Sequence, residues 1–188
     1  MPKTAHVEKV DLYKHHKSEY VTPKEPVLLK IGPAKYLTAG GEGATGGKKF
    51  QLAVGALYQA AFTTKMAKKF AGRDYRVCHL EGLWWGPELT QASDTWRWKL
   101  MLRVPEFIAA ADLKSTAARL KEKGKSALPV PVRLETIREG RCVQVLRTGP
   151  YWSEPATMGR GPHHEVYLSD PRRVAPEKLR TILRLPVA

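Results

Sequence analysis

The sequence predicts an α+β domain: duplicated βαββ repeats forming a curved antiparallel sheet, with helices on one face and a concave ligand groove between the halves. Three observations carry that expectation. Apolar periodicity gives the succession strand, helix, strand, strand twice along the chain. Short segments recur in step with it: Ile31-Gly32-Pro33 returns as Thr148-Gly149-Pro150, Leu102-Arg103-Val104-Pro105 returns as Leu183-Arg184-Leu185-Pro186, and Leu80-Glu81 has a counterpart in His164-Glu165. Finally, 188 residues at 43% hydrophobic and 27% charged suit one globular domain and argue against wholesale disorder.

Residues 1–25 are polar, mixed in charge and read as an arm with little core of its own. Residues 26–188 then form the single domain, with repeat one over about 26–105, a linking helix over about 106–124 and repeat two over about 130–188. Val27–Tyr36 is the first strand. The glycine-rich stretch Gly40–Gly47 lacks the GxxxxGK[ST] spacing of a phosphate loop and reads as a lid or a plain turn. Lys48–Ala71 is the best helix, with Phe50, Val54, Leu57, Tyr58, Ala61, Phe62, Met66 and Phe70 at helical spacing and Gly72 as its stop.

Tyr75–Trp85 reads as a strand, and Thr95–Val104 alternates cleanly as another, with Trp96, Trp98, Leu100, Leu102 and Val104 on one face. A helix follows from Glu106 to about Lys123. Arg133–Arg138 and Arg141–Thr148 read as a hairpin around the Glu139-Gly140 turn. His163–Leu168 is a strand. The C-terminal segment fits helix or strand by pattern, and the repeat favours strand. Between Pro150 and His163 the second repeat has no room for a long helix, because Pro155, Gly159, Gly161 and Pro162 interrupt it. Its helix is shortened or missing.

The outlying property is charge. Thirty-two Lys and Arg face eighteen Asp and Glu, a net +14, which raises nucleic acid as a partner. The cations scatter over every element without a nucleic-acid-reading motif, so weak, non-specific, salt-dependent affinity is the expectation. No apolar run of membrane-spanning length occurs, and the first residues lack the apolar core of a secretory signal. Cys78 and Cys142 stand far apart, which points to a reducing cytoplasm and not to a disulfide framework. The neighbours His15-His16 and His163-His164 point to opposite faces, and HExxH is absent, so no metal or other cofactor is expected.

Alternation along His163-His164-Glu165-Val166-Tyr167-Leu168 sets His163, Glu165 and Tyr167 on one face and His164, Val166 and Leu168 on the other. A carboxylate beside a phenol supplies a general base and a hydrogen-bond donor; a solvated face is the alternative. Trp84, Trp85, Trp96 and Trp98 fall in one hairpin with Glu81. They read either as core or as an aromatic box for planar or cationic molecules.

Several stretches together resemble the GyrI-like small-molecule-binding family, in the standalone form of its cyclopropanoid-hydrolase-like members. The matching residues are Tyr36-Leu37 to Gly41-Glu42-Gly43, Ala53-Val54-Gly55-Ala56-Leu57-Tyr58, Leu80-Glu81-Gly82-Leu83-Trp84-Trp85, Trp96-Arg97-Trp98, Gly149-Pro150-Tyr151, His163 through Arg173, and Pro176-Glu177-Lys178-Leu179. They span the chain from about residue 10 to its end. The resemblance implies a duplicated βαββ fold, a pocket between the repeats and a pocket glutamate that meets cationic or polar aromatic ligands. It also implies a catalytic Glu165 and Tyr167, in members that hydrolyse cyclopropane-bearing DNA alkylators.

On that basis Tyr58, Glu81, Trp85, Trp98 and Tyr151 are the expected ligand-binding residues, and the partner is a planar aromatic or cationic small molecule. Detoxification by water addition is the expected activity. Non-catalytic binding or sensing of cationic aromatics is the alternative, and a nucleic-acid or topoisomerase-associated role is a weaker one. The chain departs from its relatives in one place: Trp152–Pro162 replaces a helix, leaving apolar surface for a partner subunit or the N-terminal arm to cover. The oligomeric state stays open.

Overall fold

A computed structural model describes residues 8–44, 46–85, 96–122, 130–149 and 163–187. Six strands and three helices follow in the order α1 (Leu12–His15), β1 (Val27–Glu42), α2 (Lys48–Phe70), β2 (Glu81–Trp85), β3 (Arg97–Arg103), α3 (Ala110–Glu122), β4 (Arg133–Thr148), β5 (His163–Tyr167) and β6 (Arg180–Pro186). Every strand pairing is antiparallel, in the order β1-β3-β2-β5-β6-β4. Among the described residues the sheet curves further than expected. It closes into a barrel, because β1 is 16 residues long and pairs with β3 through Tyr36–Glu42 and with β4 through Val27–Thr38.

Strand β4 corrects a second expectation. Glu139-Gly140 carries the composition of a hairpin turn, yet Arg133–Thr148 is one continuous strand. Gly140 takes φ 83 without reversing the chain, and the β1–β4 register runs unbroken past it, Ile31 opposite Gly140 and Pro33 opposite Arg138. A left-handed glycine permits a local kink as readily as a turn, and the long partner strand decides which. Likewise Gly40 and Gly41 continue β1. An ideal Cβ on Gly41 would lie 2.3 Å from Trp98 Cη2, so the missing side chain lets the indole lie flat against the strand.

Helix α2 covers the outer face of β1, β2 and β3. Its buried stripe is Phe50, Ala53, Ala56, Leu57, Ala60, Ala61 and Thr64, packed over Trp84, Trp98, Leu100 and Leu102. The stripe is rotated from the expected one. Phe62 and Phe70 stand 53% and 81% exposed, and alanines take the inward positions, which suits a close approach to tryptophans already filling the space. The helix ends in a Schellman arrangement, with Gly72 at φ 78, its N–H donating to Lys69 O and Arg73 N–H donating to Lys68 O. The second strand is shorter than expected, since only Glu81–Trp85 pairs while Tyr75 bridges singly to Val10.

Residues 8–25 of the N-terminal arm are folded. Asp11 caps α1, a 3-10 turn spans Lys17–Tyr20, and the following residues are fixed by Gln144 Nε2 donating to Val21 O (2.6 Å) and Leu146 N–H donating to Pro23 O (2.8 Å). This places Glu19 and Tyr20 against the barrel interior. The described helices include none long and apolar enough to cross a membrane.

Candidate functional site

The barrel wall presents two clusters, one on each face. The inner cluster begins with Glu81, which is 0% exposed. His164 Nε2 lies 2.9 Å from Glu81 Oε2 and its Nδ1 lies 3.0 Å from Glu139 Oε1. Arg184 Nη1 donates to Glu139 Oε2 at 3.0 Å, and its Nε donates to Gln144 Oε1 at 2.7 Å. The arm completes the network: Tyr20 OH donates to Glu81 Oε1 (3.3 Å), and Arg103 donates to Glu19 Oε2 (2.6 Å) and Tyr20 Oη (3.1 Å). The Tyr20 ring lies 5.6 Å from the Arg103 guanidinium and 5.7 Å from that of Arg184.

Burial alone would lower the His164 pKa. The facing carboxylates of Glu139 and Glu81 outweigh it and lift His164 to about 9. His164, Arg103 and Arg184 thus meet the carboxyl groups of Glu19, Glu81 and Glu139 in one connected network. Such a network holds strands and arm in one arrangement. Glu81 is held within it by His164 and Tyr20.

The outer cluster is the one that alternation along β5 anticipates. His163 Nε2 lies 3.1 Å from Glu165 Oε1, with the residues 1% and 6% exposed. Two residues on, Tyr167 accepts a hydrogen bond from Trp84 Nε1 at 2.9 Å. Strand β2 makes this possible. Gly82 sits opposite Glu165, and an ideal Cβ there would lie 2.8 Å from Trp84 Nε1 and 3.1 Å from Tyr167 Oη. A donor to the phenol oxygen makes the phenol O–H the stronger donor in turn. The face thus holds a buried carboxylate and a polarised phenol, the two parts needed to activate water and to receive developing negative charge.

Neither a family model nor a curated protein matches the chain. Among solved structures, an uncharacterized conserved protein of Listeria innocua superposes with a TM-score of 0.85 at 32% identity, over 96% of this chain and 100% of that one. A hydrolase of Listeria innocua superposes with a TM-score of 0.86 at 31% identity and the same coverage. The chain belongs to the GyrI-like small-molecule-binding family. The C-terminal domain of EcmrR, at TM-score 0.55 and 11% identity, shares the GyrI-like fold and speaks for the fold alone.

Within this GyrI-like frame the expected ligand residues separate. Tyr58 on α2 is partly buried near Leu80 and Asp170, with burial first and then Asp170 raising its phenol pKa, and it packs against the same outer core as Tyr167. Trp98 is sealed in that core beneath Phe50, their ring centroids 5.5 Å apart. Trp85 and Glu81 lie on the opposite face from Glu165, since Gly82, not Glu81, is its cross-strand neighbour. Tyr58 and Trp98 therefore share the face that α2 covers, and Glu81 and Trp85 lie on the other. Tyr151 lies outside the described residues.

A cleft of about 430 Å³ opens where β1 and β2 end and β3 begins, lined by Gly40, Gly41, Glu42, Lys49, Trp85, Arg97, Trp98 and Lys99, with neither Glu165 nor Tyr167 in its lining. Gly82, beside Glu165, is not singled out by the sequence pattern, and Trp84, read there as core or aromatic box, is the donor to Tyr167. Their signal was present in the odd spacing from Glu81, which sets them on the other face of β2. Among the described residues no cluster of His, Cys, Asp and Glu is arranged to hold a metal ion.

Proposed function

We propose that this GyrI-like protein is a hydrolase that adds water to a cyclopropane-bearing, electrophilic aromatic compound. The observation that carries the reading is the pairing, on one face of β5, of a buried Glu165 with a Tyr167 polarised by Trp84. The 31% identity to a Listeria innocua hydrolase over that whole chain supports it. Glu165 takes a proton from water as the oxygen forms its bond to the strained ring carbon. The ring C–C bond breaks, and its electron pair flows into the conjugated dienone, which becomes a phenolate. Tyr167 donates a hydrogen bond to that oxygen, and the proton held by Glu165 completes the phenol product. Ring strain and aromatisation drive the step, so base and donor assistance of about 10²–10⁴-fold each is adequate.

Tyr58 and Tyr151 are proposed as the walls that hold the flat substrate, and removal of a DNA-alkylating compound is the proposed biological result. Turnover of a spirocyclopropyl dienone, followed by loss of the dienone absorbance, tests the reading. Glu165→Gln and Tyr167→Phe should each lower turnover at least a hundredfold; variants that match the wild type would refute it. Stoichiometric protection without product would instead support non-catalytic capture. Nucleic acid is the less supported partner, because several basic side chains are already committed to acids, as in Lys65–Asp74 (3.1 Å), Lys68–Asp112 (2.7 Å) and Lys99–Glu135 (2.6 Å).

A further inference from the structure

We infer that His163 is the positioning residue that donates to Glu165 and aims it, an inference that rests on Glu165 acting as the base. Spacing of two along β5 sets the imidazole and the carboxylate on one face, and Nε2 lies 3.1 Å from Oε1. Among the described residues, the surroundings give the carboxylate little else. Strand β2 presents Gly82 and Trp84 to this face, and β6 presents Leu183 opposite Glu165 and Thr181 opposite Tyr167. None of these is charged, and the Trp84 N–H is committed to Tyr167. Tyr167 is the other titratable group that β5 itself presents there, and α2 adds the Tyr58 phenol nearby. Among the described residues only His163 hydrogen-bonds the Glu165 carboxylate.

A buried carboxylate in apolar surroundings resists ionisation unless a donor meets it. The imidazole can be that donor in one tautomer only. With the proton on Nε2 it donates to Oε1, and Nδ1 is left as a bare acceptor. Consistent with that assignment, Nδ1 is buried and has no hydrogen-bond partner among the described residues. The opposite tautomer would strand a buried N–H donor and set a nitrogen lone pair against a carboxylate oxygen. The orphaned Nδ1 is therefore the counterpart of a fixed Nε2–H, and the strand's two-residue repeat makes the pair a rigid unit.

Two measurements test this. Nitrogen-15 NMR of the histidine rings should show His163 neutral and protonated on Nε2 near pH 7, with its resonances moving in Glu165→Gln. A ring protonated on Nδ1 overturns the inference whatever the activity. In kinetics with the spirocyclopropyl dienone, His163→Leu should lower kcat tenfold or more with KM within twofold. It should also move the acid limb of kcat/KM up by about one pH unit. His163→Gln, which can still donate an N–H, should recover part of both. Wild-type kcat and an unmoved acid limb in His163→Leu sink the inference. If Glu165→Gln itself turns over normally, the base reading falls and the NMR result alone judges the pairing.

Discussion

Glu81 and Glu165 stand on neighbouring, hydrogen-bonded strands one register step apart, and their carboxylates lie on opposite faces of the barrel wall. A single layer of backbone therefore separates a charge network that holds the barrel together from the pair proposed to do chemistry.

That separation predicts a division of effects. Glu81→Gln should cost about 3 kcal/mol of unfolding free energy, because it leaves His164 and Arg184 with one carboxylate fewer in a buried site. Its kcat on the dienone should stay within a few-fold of wild type. Glu165→Gln should do the reverse, with stability changed by less than about 1 kcal/mol and turnover lost. Urea titrations beside turnover assays check both, and a Glu81→Gln variant that is stable but inactive would contradict the assignment of faces.

Gly82→Ala tests the support of Tyr167. The added Cβ meets Trp84 Nε1 and Tyr167 Oη closer than ordinary contact allows, so the indole must move and its hydrogen bond to the phenol is lost. Turnover should fall about tenfold. In a Tyr167→Phe background the same substitution should have almost no further effect, and a double-mutant cycle in kcat/KM measures that coupling.

His164 gives the fold a pH dependence of known sign. Its folded pKa, about 9, lies above the ordinary histidine value of 6.5. The folded state therefore holds a proton that the unfolded chain releases first. The stabilisation is complete below about pH 6.5 and is lost as pH rises through 9, amounting to at most about 3 kcal/mol. Burial lowers the pKa of His16 and of His79, which work in the opposite sense at more acidic pH. Urea denaturation at pH 6.5 and pH 9.5 should show the fall, and His164→Gln should flatten it.

Tyr20 ties the arm to the barrel, and its two substitutions should separate. Tyr20→Phe keeps the ring between Arg103 and Arg184 and loses the hydroxyl contacts to Glu81 and Arg103, at a cost of about 1–2 kcal/mol. Tyr20→Ala also removes the ring and should cost about 3–5 kcal/mol. Thermal unfolding monitored by tryptophan fluorescence distinguishes them; equal small effects would mean that the arm carries little of the fold.

Local pattern made the site's own strand legible. Strict alternation put His163, Glu165 and Tyr167 together without any knowledge of the partner strands, because a two-residue period is a property of the chain alone. The pattern could not say which residue of β2 lies opposite Glu165. That depends on register, and register sets Gly82 beside Glu165 and sends Glu81 to the other face. Gly140 was misjudged for the same kind of reason, since a turn composition yields to a 16-residue partner. The arm misled by its polarity: Glu19 and Tyr20 are inward because charges deep in the barrel receive them, and those charges come from β3 and β6.

The Arg184–Glu19 hydrogen bond joins residues 165 positions apart. During biosynthesis β1, α2, β2 and β3 can assemble as soon as they emerge, but the wall cannot close until β6 has been made. Until then Glu81 lacks His164, and the carbonyl of Glu19 lacks Arg184. Closure of this kind is slow, on the order of milliseconds to seconds, because distant segments must meet before any contact repays the lost chain entropy. The arm at the front of the chain is thus among the last parts to be locked, by a residue near its opposite end.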